Sequence, residues 1–323
     1  MRILVTGASG LLGSTVARTL TQNGHVVRVM QRRPSGLDCD EILGSVTDAY
    51  TVERATEGQD AVVHLAALVS PTGPWRDFRV VNVGGTENVL DASRKAGVER
   101  LVYVSSPAVA HAGHAQVGTA ALPADPAMTK SHYARSKAMA EQLVLNRSRD
   151  EMLIAAVRPH LVWGPGDEQL VKRIVERAAQ GQLRLVGSGA ALIDSTYVDN
   201  AADAIAASVE RADVIDGRAL VVSNGEPRTV AELIRSLCHA AGLPEPAGRV
   251  PRWTAKAAGS TIEAIWAMGR ITRDPPMTRF LAEQLSTAHW YDQRETQRLL
   301  DWTPRVSIAE GLERLARSYE SGR

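Results

Sequence analysis

Cysteine is almost missing from this chain. Two occur in 323 residues, Cys39 and Cys238, far apart and without the spacing of a metal-ligand set. No metal site is expected, and the pair fits buried thiols in a reducing cytosol. Lysine is scarce too: Lys95, Lys130, Lys137, Lys172 and Lys256 are the five, and arginine supplies the rest of the 37 basic residues. A lysine at a motif position is therefore less readily put down to chance. Excess charge is lacking. A net charge of +1 leaves no footprint for nucleic acid or an acidic membrane. No window reaches the roughly 18 uninterrupted apolar residues of a membrane span. The chain opens on an apolar strand pattern with no charged leader or cleavage site, so no signal peptide is expected and the location read is cytoplasmic. Repeats and low-complexity tracts are absent.

What is present is concentrated in the first 33 residues. Met1 to Thr6 is a short apolar run. It meets Gly7-Ala8-Ser9-Gly10-Leu11-Leu12-Gly13, then a helical pattern to Asn23, a closing Gly24 and a second apolar run to Met30. Strand, glycine turn, helix and strand make the opening unit of a dinucleotide-binding sheet. The first glycine turns the chain off the strand. The second admits a pyrophosphate close to the backbone, and the third lets helix and strand pack. The helix start then offers free N–H groups to phosphate. The spacing of Gly7, Gly10 and Gly13 is one residue longer than the usual fingerprint, and a tight turn without ligand is the bland alternative.

Cofactor choice is read at the end of the second strand. An NAD enzyme usually has a carboxylate there for the ribose; an arginine suits the 2′-phosphate of NADP. Here the strand ends Met30-Gln31-Arg32-Arg33. NADP(H) is favoured, with Arg32 the stronger candidate and Arg33 the weaker, and NAD(H) remains open.

Strands and helices then alternate. Glu41 to Gly44 reads as a strand, Asp48 caps a helix to Glu57, and Ala61 to Leu65 is a strand ending in Ala66-Ala67. Those small residues leave room for the cofactor, and His64 reads as packing. Asp77 to Ala96 is a long helix whose adjacent Gly84 and Gly85 each cost about 1 kcal/mol relative to alanine, a cost accepted where something must come close. Arg100 to Val104 is a strand ending in Ser105-Ser106, and Glu151 to Val157 another. The fold class is α/β, a doubly wound parallel Rossmann sheet with a smaller, mostly helical C-terminal substrate domain. Residues 1–165 form the dinucleotide-binding part, with 190–224 returning to it; 166–189 and 225–323 form the substrate part. Leu192 to Val198 reads as one strand, with Asp199 capping the next helix. Four of the six tryptophans lie after residue 250. A helix near Ala255 to Ile271 puts Ile262, Ile265, Trp266 and Gly269 on one face, as core or as an apolar lid.

Tyr133 and Lys137, four apart on a helix, face the same way. A phenol is a weak acid, with an unperturbed pKa of about 10. A nearby ammonium lowers that value and can also hold a ribose. Ser106, at a strand end, can hold a substrate oxygen against the tyrosine. The three together can protonate a carbonyl as hydride arrives, or run the step backwards.

The motifs Thr6 to Gly13, His64-Leu65-Ala66-Ala67, Asn82 to Thr86, Val104-Ser105-Ser106, Tyr133 with Lys137, and Arg158-Pro159 resemble the extended short-chain dehydrogenase/reductases over nearly the whole chain. The resemblance implies a Ser106, Tyr133 and Lys137 catalytic set supported by Asn82. It implies a cofactor site of Gly7, Ser9, Gly10, Leu11, Leu12, Gly13, Arg32, Arg33, Leu65, Ala66, Ala67, Tyr133, Lys137 and Pro159. Gly44-Ser45 stands where relatives often face the adenine with an aspartate. Pro107-Ala108 replaces the Asp-Glu pair of the dehydratases and argues against dehydration. Residues 158–167, 194–200, 223–227 and 278–291 resemble the 3β-hydroxysteroid dehydrogenase branch, and within it bacterial 2-alkyl-3-oxoalkanoate reductases of olefin biosynthesis. The implied substrate is large and apolar, with Tyr197, Arg279, His289 and Trp290 as substrate-side candidates. A steroid dehydrogenase, an NAD-dependent sugar-nucleotide epimerase and a non-catalytic NADP-binding regulator are the alternatives. A homodimer is compatible with the superfamily's habit.

Overall fold

The computed structural model describes the backbone of residues 1–111, 113–147, 152–269 and 279–321, without the side chains of Lys256, Ser260, 263–269, 279–281 and Ser321. Arg279, Ile265, Trp266 and Gly269 thus lie outside the described side chains.

Seven strands form the main sheet: β1 (Arg2–Thr6), β2 (Val26–Gln31), β3 (Asp40–Leu43), β4 (Ala61–His64), β5 (Arg100–Val104), β6 (Leu153–Pro159) and β7 (Ala219–Val222). Their order is β7-β6-β5-β4-β1-β2-β3, and every neighbouring pair is parallel. The order reverses between β1 and β4, so the crevice for a ligand opens there, beyond the strands' carboxyl ends.

The side-chain alternation of each strand fills two layers. Ile3, Val5, Val29, Val63, Val102 and Val157 pack against the helices Leu11–Gln22 and Val198–Glu210. Leu4, Met30, Val62, Leu101 and Tyr103 pack on the opposite face, against Ala49–Thr56, Gly85–Lys95 and His132–Leu145. Burying one such valine or leucine fully is worth about 1.5–3 kcal/mol. The two apolar layers therefore fix which face each helix takes, and with it where Tyr133 and Lys137 stand.

Two local expectations change. The long helix over Asp77 to Ala96 is broken into Trp75–Phe78, a wide π-turn Arg79–Gly84, and Gly85–Lys95. Gly85 is needed because a Cβ there would stand 2.6 Å from Val46 Cγ2, whereas a Cβ on Gly84 would make only an ordinary contact, 3.9 Å from Arg79 O. The single strand over Leu192 to Val198 is two short pieces, Leu192–Ile193 and Thr196–Tyr197, joined to different partners. The next helix starts at Val198 with Tyr197 at its cap, so Asp199 sits in the first turn rather than capping.

A second, four-stranded sheet joins Arg228–Thr229, Leu192–Ile193, His289–Tyr291 and Gln116–Thr119. Its last strand belongs to the segment that follows Ser106. Gln116 N donates to Ala288 O (2.9 Å) and Tyr291 Oη donates to Gln116 Oε1 (2.6 Å). The segment after Ser106 is thereby tied to residues more than 170 positions away in sequence.

Candidate active site

The glycine turn is built by close approach. Gly7 has φ +82°, and a Cβ on it would lie 2.9 Å from the Ala66 backbone. A Cβ on Gly13 would lie 2.3 Å from Gly7 O, so the first helix rests directly on the turn. Gly10 differs: the nearest protein atom to its Cβ position is 3.8 Å away. Gly10 is also the helix cap, with no side-chain hydrogen bond and no acidic residue in the first turn. The unpaired N–H groups of that turn, with the helix dipole, are left for an anion. These features fit a dinucleotide pyrophosphate.

One cavity of about 590 Å³ runs from this turn across the sheet. Gly7, Ser9, Gly10, Leu11, Leu12 and Gly13 line it, as do Leu65, Ala66 and Ala67 of the next crossover. Arg32 lines it and Arg33 does not; both are exposed. Ser106, Tyr133, Lys137 and Pro159 complete the same wall. Thus a phosphate cradle and a hydroxyl, phenol and amine set share one chamber. Gln31 also lines it, a residue sequence reading passed over in favour of the arginines. It is only 5% exposed, its Nε2 donates to Glu41 Oε1 (2.5 Å), and its Oε1 has no partner among the described residues. Leu161, on the same wall, holds φ +42°, a left-handed conformation that costs a branched residue about 1–3 kcal/mol.

The catalytic candidates are held from behind. Asn82, buried in the π-turn, accepts from Leu68 N (2.7 Å) and donates to Leu68 O (3.1 Å) and Ser136 Oγ (2.8 Å). Ser136 Oγ in turn donates to Tyr133 O (2.8 Å). Asn82 does not line the cavity; it positions the wall at Leu68 and the helix of Tyr133. His64 is a packing residue with a fixed tautomer. Thr86 Oγ1 donates to Asn82 O (2.6 Å), so it accepts from His64 Nε2 (3.0 Å), and Thr6 Oγ1 donates to His64 Nδ1 (2.7 Å). Burial, with Lys137 nearby, depresses its pKa to about 3.

Burial raises the Tyr133 phenol above its ordinary value, and a hydrogen bond from Ser106 partly offsets this. A raised value keeps the phenol protonated at neutral pH, the form an acid needs. Lys137, 2% exposed, is lowered to about 7 by burial, with Glu141 opposing. The ammonium was expected to act on Tyr133 directly. Instead it donates to Val104 O (2.7 Å) and stands 4.1 Å from the Tyr103 ring centroid, and Ser106 is the group that eases Tyr133. Glu141 is taken by Arg158, each 1% exposed, through a bidentate pair.

The remaining substrate-side candidates are not on this wall. Tyr197 is buried against Trp163 (rings 5.5 Å apart) and under Gly311. His289 is buried between His160 Nε2 (3.1 Å) and Gln284 O (2.9 Å). Trp290 lies over Gly118 on the second sheet, so close that a Cβ there would meet its ring at 2.9 Å. Each is held by a partner from a distant stretch of chain.

The model of the NAD dependent epimerase/dehydratase family matches residues 3–223. The chain belongs to that family. Among curated members, the 2-alkyl-3-oxoalkanoate reductase of Stenotrophomonas maltophilia is 41% identical, over 98% of this chain and 99% of that one. The 3 beta-hydroxysteroid dehydrogenase/Delta 5-->4-isomerase of Mycobacterium tuberculosis is 35% identical, over 77% of this chain and 72% of that one. Among solved structures, MoeE5 in complex with UDP-glucose and NAD superposes with a TM-score of 0.77 at 24% identity, covering 100% of this chain and 99% of that one, a likeness of fold. This family member is an NAD(P)-dependent enzyme of the extended short-chain type, and its relatives support a ketone reductase. No described helix is long and apolar enough to cross a membrane.

Proposed function

We propose that the protein reduces a 2-alkyl-3-oxoalkanoic acid to the 3-hydroxy acid, with NADPH as the reductant. The observation that carries this is the shared chamber: the phosphate cradle, Arg32 and the Ser106, Tyr133 and Lys137 set open on one cavity. Its outer wall is apolar, with Leu68, Val69, Val81, Leu161, Val162 and Leu170. Two fatty tails suit such a wall. The reductase from Stenotrophomonas, similar along its whole length, supports the substrate class.

A bound NADPH would supply the hydride that reduces the carbonyl carbon. Gly7, Gly10 and Gly13 hold the pyrophosphate against the first helix. Arg32 meets the 2′-phosphate, with Gln31 in place of the carboxylate that would repel it. Ser106 donates to the substrate oxygen and orients it toward Tyr133. Tyr133 gives its proton to that oxygen as the carbon–oxygen double bond becomes single, so charge does not build up. Lys137 holds the ribose and supplies positive charge beside the reacting oxygen. Asn82 keeps Tyr133's helix in place through Ser136.

A second reading, oxidation of a 3β-hydroxysteroid, is favoured by the mycobacterial relative. The deciding experiment follows reduced nicotinamide with NADP⁺ and NAD⁺ against a long-chain 2-alkyl-3-hydroxyalkanoic acid, a 3β-hydroxysteroid and a UDP-hexose in parallel. The hydroxy acid avoids the decarboxylation of a β-keto acid. Turnover of the acid with NADP⁺ is expected. Turnover of the steroid alone, with NAD⁺, would overturn both the substrate and the cofactor.

A further inference from the structure

Lys137 is a buried cation with few obvious partners. Its one hydrogen bond among the described residues goes to Val104 O at 2.7 Å. The nearest carboxylate on its own helix, Glu141, is occupied by Arg158 through both oxygens. What remains is the ring of Tyr103. Lys137 Nζ stands 4.1 Å from its centroid, within the range at which an ammonium is held by an aromatic face.

The sequence puts Tyr103 there for a simple reason. Strand residues alternate, and Tyr103 points with Leu101 into the layer covered by the helix of Tyr133 and Lys137. The residue pairs with His64 across β4, and the two rings lie 5.7 Å apart. With its pKa depressed to about 3, His64 is uncharged and offers the ring no second cation. We propose that Tyr103 is a positioning residue for catalysis, its aromatic face fixing the Lys137 ammonium at the cofactor wall and holding it in the charged form. The inference rests on the role given to Lys137 above.

An ammonium has three N–H groups. One goes to Val104 O, and one side is turned to the ring. The remaining direction is left for the ribose and the reacting oxygen. Without the ring, the ammonium would be buried with one carbonyl and an empty space, and it would lose its proton more easily. The charged and titratable groups around it are Glu141 and Tyr133 on its own helix, His64 on β4, Tyr103 on β5 and Arg158 on β6. Of these, only Tyr103 changes between the variants whose pH profiles are compared.

The test compares Tyr103→Phe and Tyr103→Leu with wild type in the pH dependence of reductive kcat/KM. Phenylalanine keeps the face and should overlay wild type. Leucine removes it and should move the descending limb about one pH unit toward acid, a roughly tenfold loss above the limb. A leucine profile identical to wild type would overturn the inference. Equal damage in both variants would do the same, since it would point to the hydroxyl. A measurement on wild type guards against a leucine variant that does not fold. With five lysines in the chain, the ε-methylene signals are few, and Lys137→Arg identifies one. That signal should be displaced by the ring current; an ordinary position would refute the stacking. Tyr133→Phe runs alongside. If it keeps full turnover, the reading of the site fails. If it is dead while Tyr103→Leu behaves as wild type, only the present inference fails.

Discussion

Gly10 and Gly13 belong to one motif, yet replacing each by alanine should have opposite consequences. At Gly13 the new methyl would lie 2.3 Å from Gly7 O and 2.9 Å from Gly7 C. Both are backbone atoms in a turn already held by Ala66, so neither can swing away. The first helix must shift or the turn must open. Forced insertion of a methyl into a packed site costs about 1–3 kcal/mol. Alanine recovers up to about 1 kcal/mol of helix propensity. With both clashing atoms in the backbone the insertion cost lies at the upper end of its range, so the net loss is about 2–3 kcal/mol, which lowers the melting temperature by several degrees. At Gly10 the nearest protein atom is 3.8 Å away, so the fold has room. Stability should change by less than about 1 kcal/mol, the difference between glycine and alanine at a helix cap. On the proposed placement of the cofactor the methyl would enter the space of the pyrophosphate, and NADPH affinity should fall at least tenfold. Thermal melting without ligand and titration of NADPH by fluorescence separate the two effects. A Gly10→Ala protein that binds NADPH like wild type would refute the placement of the phosphates. A Gly13→Ala protein that melts like wild type would refute the packing argument.

Tyr133→Phe should reduce turnover by roughly 10²–10⁴, the usual worth of a positioned acid, with NADPH binding almost unchanged. Arg32→Ala should raise KM for NADPH more than for NADH; steady-state kinetics with both cofactors showing equal effects would remove the basis for the NADP preference. Glu141→Gln should cost about 3–5 kcal/mol in denaturant unfolding, because it leaves buried Arg158 without its counter-charge. Lys137→Met should stabilise the fold at pH 6–7. The folded-state pKa of Lys137 is depressed to about 7, so below pH 10 the unfolded chain binds the proton more tightly, and wild-type stability climbs as pH rises from 7. The advantage of methionine should therefore shrink toward pH 10, as read from unfolding curves at each pH, and a constant difference would contradict it.

The parts of the fold legible in the sequence are those set by local rules. The glycine turn, the apolar strands and the Asp48 cap need only neighbours a few residues away, and Tyr50 N indeed meets Asp48 Oδ1 at 3.2 Å. What was hidden depends on distant partners. Tyr197, His289 and Trp290 have side chains that suit a substrate site, but Gly311, His160 and Gly118 claim them, and no pattern in the chain connects those numbers. Gln31 is an uncharged amide beside two arginines, and nothing in the sequence marks it as a wall residue. Its burial and its bond to Glu41 appear only once β2 and β3 are paired. The split of Leu192 to Val198 into two strands was equally invisible, since two sheets compete for one apolar run. The bond from Lys137 to Val104 is equally illegible in the sequence, because spacing orients a side chain without saying where its end comes to rest.

The wide turn at Arg79–Gly84 has a consequence for how this stretch must be compared between relatives. A π-turn accommodates one residue more than an α-helical turn, and each residue advances an α-helix by about 100°. It acts as a phase slip: Phe78 before it and Thr86 and Val89 after it all face inward, and the slack residue is where Asn82 reaches both Leu68 and Ser136. A relative shorter by one residue here would keep an unbroken helix and the same apolar face, yet aim its amide elsewhere. In this segment the counting of residues, and not merely their identity, decides whether Tyr133's helix is anchored.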